Sequence, residues 1–137
     1  MTNMQAAIGL AQVEKLDEIL ALRNKQMDIY YNELSGLQGI SLRQYAEWCE
    51  PVHWMMTITL DHEYDQVEFL DYMKEKDIDC RQMINPVHKA EHFVEQFNDE
   101  FPVATRISSQ SVHLPSGSGL GSNQIKSVAL AIRNFLV

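Results

Sequence analysis

The stretch from residue 3 to residue 35 constrains the fold of this chain more than any other. Val13, Leu16, Leu20, Met27, Tyr30 and Leu34 recur at alternating steps of three and four, Arg23 takes the one polar position in that series, and no proline intervenes. This spacing predicts a helix with a single apolar stripe. Thr2 or Asn3 supplies a side-chain oxygen to cap its first turn, and Gly36 supplies the left-handed residue that ends it. A helix of that length is large for a chain of 137 residues. The remaining residues build a core that covers only part of it, so the far end, with Ala6, Ala7, Ile8 and Leu10, is expected to lie against something else.

Beyond that helix, the pattern alternates between strand and helix. After a loop through Gly39 and Pro51, the run HWMMTITL, residues 53 to 60, reads as a strand with Trp54, Met56, Ile58 and Leu60 on one face. Val67, Leu70 and Met73 mark a helix from about 65 to 76, and IDCRQMI at 78 to 84 reads as a short strand. Pro86 breaks the chain, and short helical stretches follow near 89 to 97 and 102 to 109. SVHL at 111 to 114 suits a third strand, and a final helix near 122 to 136 buries Ile125, Val128, Ala129 and Ile132. The expected class is α+β: a small mixed sheet covered by helices.

Composition narrows the partners. A 45% hydrophobic and 22% charged chain has the balance of one globular domain. Its formal net charge of -8 argues against nucleic acid or an anionic membrane as main partner, since both need clustered Lys and Arg. Cys49 and Cys80 lack C-x-x-C spacing, which suits a reducing compartment, and the expected location is cytoplasmic. Neither a leader nor a membrane anchor is expected.

Three local patterns suggest chemistry. HKAEH, residues 88 to 92, has the H-x-x-E-H form that on a helix would set His88 and His92 on one face beside Glu91, as in an inverted zinc-hydrolase motif. A zinc site needs a third protein ligand, and Pro86 leaves a helix only the edge of the motif to start from. LPSGSGLGSNQI at 114 to 125 follows a strand and precedes a helix, as a phosphate-binding loop does, but its G-x-G-x-G spacing is one residue short of the dinucleotide fingerprint. A turn capped by Ser122 accounts for it. Cys80 beside Arg81 has the setting of an activated thiol or of a buried strand cysteine.

Four blocks in order resemble one family: MTNMQAAIGLAQVEKLDEI, HWMMTITL, LDYMKEKDIDCRQMINPVHK and FPVATRISSQSVHLPSG. They are similar to the small, C-terminal domain of pyridoxal-phosphate-dependent sugar-nucleotide aminotransferases of the DegT/StrS type, in the perosamine-synthase-like branch. The resemblance implies the small-domain architecture of the aspartate-aminotransferase fold, with residues 1–36 as an interdomain-type helix and 37–137 as a small α+β domain within one unit. It implies pyridoxal phosphate as cofactor of the complete enzyme and a nucleotide-sugar as its substrate. Arg81 and His88 match the arginine and the substrate-loop histidine of the family, and Trp54 and Met55 match a strand pair.

None of Lys15, Lys25, Lys74, Lys76, Lys89 and Lys126 matches the motif around the family's cofactor lysine. Transamination needs that lysine to carry the cofactor and shuttle protons. No catalytic or cofactor-binding residue, and no metal ligand, is therefore assigned to this chain, and it is expected to be inactive by itself. The resemblance implies association with a second copy or with a separately encoded large domain. The chain departs from the family at Ile84 and Asn85, where an aromatic pair is usual, and at Asp77, where a helix-ending glycine is usual. Two other readings stay open: a non-catalytic binding or assembly module that keeps this fold, and the H-x-x-E-H zinc hydrolase.

Overall fold

The computed structural model describes residues 1–93 and 101–137. The N-terminal helical segment runs as two helices, α1 (Asn3–Val13) and α2 (Leu16–Leu34), interrupted at Glu14 and Lys15. At the break the Lys15 N–H turns to the carbonyl of Gln12, three residues back, and Ile19 resumes the regular pattern on Lys15. Thr2 caps α1: its hydroxyl accepts from the Gln5 N–H, and the Gln5 carboxamide oxygen accepts from the Thr2 N–H. Gly36 takes the left-handed conformation at φ 77° just past α2.

Only the second half of this segment enters the core. Met27, Tyr30 and Leu34 are buried, whereas α1 buries nothing and Val13 and Leu16 of the same stripe stay exposed. Each fully buried side chain of this size stabilises by roughly 1.5–3 kcal/mol, which fixes α2 and leaves α1 held by its cap and its own backbone bonds.

The sheet has four strands, β1 (Ile40–Leu42), β2 (Met56–Leu60), β3 (Arg81–Gln82) and β4 (Ser111–Leu114), in the order β1-β2-β4-β3. Every neighbouring pair is antiparallel, which corrects the expectation of a mixed sheet. β1 lies where the sequence predicts a loop; the strand spans three residues and pairs Ile40 with Leu60. It is positioned by Gly39, at φ 92°, where an added Cβ would stand 2.7 Å from the Tyr64 ring.

One face of the sheet carries Met56, Ile58, Leu60, Val112 and Leu114, and packs against α2, α3 (Gln66–Glu75) and α5 (Ser122–Phe135). As expected, α5 buries Ile125, Val128, Ala129 and Ile132. On α3 the inward face is Gln66, Phe69 and Met73, with Val67 exposed, because the Asp65 cap starts the helix at Gln66 and rotates Val67 outward. Trp54 precedes β2 and is 65% exposed, so it does not join the buried face expected of it.

The second face of the sheet is polar. Thr59 and Ser111 pair through their hydroxyls at 2.8 Å, and Thr57 meets His113 Nδ1 at 2.9 Å. Above it runs α4 (Pro102–Gln110). Buried Gln66 ties α4 to β4 by donating to the carbonyls of Ser108 and Ser111. The stretch expected as helix near 89 to 97 lies partly outside the described residues.

Candidate functional site

Where the sheet meets α2, the polar face opens into a cleft of about 360 Å³. Its walls are Arg23 of α2, Trp54 and Met55 ahead of β2, Asp79 and Arg81, His113 of β4 and the turn from Leu114 to Gly117. The antiparallel register sets Arg81 opposite His113 and His113 opposite Thr57, so these three share one face.

The turn is pinned from α2 at helical spacing. Gln26 donates through Nε2 to the carbonyls of Gly117 (3.0 Å) and Leu120 (2.9 Å), and the Tyr30 hydroxyl donates to the Pro115 carbonyl at 2.7 Å. Burial, with the Cys80 side chain adding to it, keeps the Tyr30 phenol protonated as that donor by pushing its pKa up. From the other side, the Ser116 hydroxyl accepts from the Met56 N–H and donates to the Leu114 carbonyl. The glycine-rich segment thus presents carbonyls to α2, opposite in polarity to a phosphate cradle of N–H donors. Gly121 takes the cap position of its helix, its N–H donating to the Gln124 side chain at 2.8 Å, so Ser122 is the first helical residue and not the cap.

The two residues carried over from the resemblance are not brought together in this cleft. Arg81 lies in the wall, its guanidinium 3.1 Å from the Asp79 carboxylate with both groups exposed. His88 is not part of the wall. Its Nε2 stands 3.4 Å from the Thr105 hydroxyl and its ring packs 4.7 Å from that of Phe101.

The zinc motif does not form the helix its chemistry requires. Val87–Lys89 is a single 3₁₀ turn and Ala90 is extended at ψ 132°, so His88 and His92 do not sit one turn apart on a helical face. Among the described residues no three His, Cys, Asp or Glu side chains group closely enough to hold a metal ion. Cys80 is the opposite of an activated thiol: burial, then the charge of Asp79, pushes its pKa up to about 12.

Arg23 and His113 had no reading as groups of this cleft in the sequence. Arg23 was visible as the polar interruption of an apolar stripe. His113 read, with His53 and His62, as a strand-edge imidazole or a spare ligand for the zinc motif; burial lowers its pKa, and its Nε2 is buried with no hydrogen-bond partner among the described residues.

The sequence profile of the DegT/DnrJ/EryC1/StrS aminotransferase family matches residues 1–133. The chain belongs to this family. It is 31% identical over 140 residues to a GDP-perosamine synthase of Vibrio cholerae, covering 98% of this chain and 37% of that protein. A GDP-perosamine synthase of Caulobacter vibrioides is 32% identical over 143 residues, covering 100% of this chain and 38% of that one. The solved structure of DesV from S. venezuelae superposes with a TM-score of 0.88 at 26% identity, over 97% of this chain and 36% of that one. The chain therefore spans little more than a third of the length of the relatives it matches.

The family is pyridoxal-phosphate-dependent. The residues of this chain do not fit that cofactor. All six lysines are exposed and none lines the cleft. A Schiff-base lysine requires the reverse, an amine held in a desolvated pocket where its pKa falls. Among the described residues no helix is long and apolar enough to cross a membrane.

Proposed function

We propose that this chain forms the small-domain wall of a nucleotide-sugar aminotransferase of the perosamine type and is inert in amino transfer by itself. The observation that carries the reading is the pairing of a pinned, arginine-bearing cleft with a chain whose lysines are all exposed. Such a surface binds and orients; the electron sink and the proton-shuttling amine come from elsewhere. The large domain of the family is the natural source, on the same or a separate polypeptide. Arg81 contributes a cation to the substrate, and His88, set apart from the cleft, reaches substrate only across a subunit boundary.

The bare start of the N-terminal segment supports this reading. Ile8 and Leu10 of α1 are 61% and 60% exposed, and Val13 and Leu16 continue the uncovered surface. Soluble monomers seldom leave apolar patches beyond a few hundred Å² uncovered.

Reconstitution tests the proposal. Mixing this chain with the part of the Vibrio cholerae relative that it does not match, in the presence of pyridoxal phosphate, glutamate and a GDP-linked keto-sugar, is expected to give a stable complex and amino transfer. Neither component alone is expected to transfer. A mixture that forms no complex, or activity in this chain alone, would contradict the reading.

A further inference from the structure

We infer that Arg23, and not Arg81, is the principal anion-binding group of the cleft, and that it takes a phosphate of the diphosphate in a nucleotide-sugar. The inference rests on the proposed function and assigns a residue that the family resemblance did not carry over.

Position is the first argument. Arg23 follows Leu20 by three residues and precedes Met27 by four, so it lies on the inward stripe of α2, where the apolar pattern would place a hydrophobe. It is half-buried there and lines the cleft. A cation held on an inward stripe, partly out of water, is costly unless something is gained by it.

Charge is the second. The cleft holds two guanidinium groups and one carboxylate, and that carboxylate is spent on Arg81 at 3.1 Å. Among the described residues Arg23 has no carboxylate partner. Its side chain makes a single bond, from Nη1 to the Trp54 carbonyl at 3.4 Å, near the limit for a hydrogen bond. A guanidinium carries five N–H donors in a planar fork, so most of Arg23's donors are uncommitted, in the geometry that fits two phosphate oxygens at once. Because the whole chain bears a net charge of -8, an anion gains nothing from the general field and needs this local cation.

Shape is the third. Beside Arg23 the Trp54 side chain is 65% exposed in the same wall. A flat indole next to a guanidinium suits a charged diphosphate attached to a ring better than a lone small anion.

The test titrates the 137-residue chain with inorganic pyrophosphate and follows the Trp54 indole N–H resonance. Wild type is expected to show a saturable shift. Arg23→Gln is expected to weaken binding at least tenfold, Arg23→Lys to retain part of it, and Arg81→Gln to weaken it less than Arg23→Gln. Arg43→Gln, outside the cleft, is expected to bind as wild type does. The thermal midpoint of each free variant separates loss of a ligand contact from loss of fold.

If Arg23→Gln binds like wild type while Arg81→Gln does not, the assignment of Arg23 is overturned and the cleft reading stands. Equal loss in Arg23→Lys and Arg23→Gln, with the free Trp54 resonance displaced in both, would show that Arg23 only holds the Trp54 backbone. The absence of a saturable shift in wild type overturns the anion site, whereas reconstitution of amino transfer judges the wider proposal separately.

Discussion

Asp77 is the only non-glycine residue with positive φ among those described, at 58°. It closes α3 in a Schellman motif: the Asp77 N–H bonds to the Lys74 carbonyl and the Ile78 N–H to that of Met73, both at 3.0 Å. A left-handed residue with a Cβ costs roughly 1–2 kcal/mol, and glycine returns roughly 0.5–1 kcal/mol of that as extra freedom of the unfolded chain. Asp77→Gly is therefore expected to stabilise the chain by about 0.5–1 kcal/mol, raising the thermal midpoint by a few degrees. A lowered midpoint would mean that the aspartate side chain makes a contact worth more than its strain. The position was legible in the sequence through the resemblance, which implies a helix-ending glycine there. His113 was not, since its unpartnered Nε2 depends on what β2 and β3 place beside it, and strand register is not written in the residue itself.

Among the elements, those with strong internal periodicity were the ones the sequence revealed. α5 was legible because its buried residues repeat at helical spacing, and α2 because Met27, Tyr30 and Leu34 do. β1 was not readable at three residues, since its existence rests on pairing with β2; β3 was read at 78 to 84, but its two-residue extent is set by pairing with β4. The interruption at Glu14 and Lys15 left no mark in the apolar stripe, and nothing in the surrounding contacts explains it. Its consequence is an eleven-residue α1 with no buried side chain, shorter than the ~12–15 residues at which isolated helices become marginal in water. A partner surface would hold such a helix, since a self-complementary apolar patch buries itself twice in a twofold pair. Light scattering over a dilution series is expected to show reversible association of the wild type and a monomer when Ile8 and Leu10 are both changed to Ser. A wild type that is monomeric throughout, and that gains no mass when the large domain is added, would show that α1 needs no cover.

At the scale of the whole molecule, fold and family were legible while the site was only half so. Four sequence blocks located Arg81, but the Asp79 carboxylate beside it, the turn pinned by Gln26 and Tyr30, and the half-buried guanidinium of Arg23 emerge only from the folded arrangement. The same packing explains why the H-x-x-E-H pattern is not a metal site: the backbone at Ala90 breaks the helix that the pattern presumes. The proposed function makes this a surface that positions a substrate, and among the described residues no lysine lines its cleft to hold the cofactor. The most direct measurement of that claim is a titration of the purified 137-residue chain with pyridoxal phosphate, followed by absorbance with glutamate added as amino donor. The account predicts only a weak, non-saturating spectrum from exposed lysines and no consumption of glutamate. A stoichiometric absorption band abolished by changing one of Lys15, Lys25, Lys74, Lys76, Lys89 or Lys126 would contradict it.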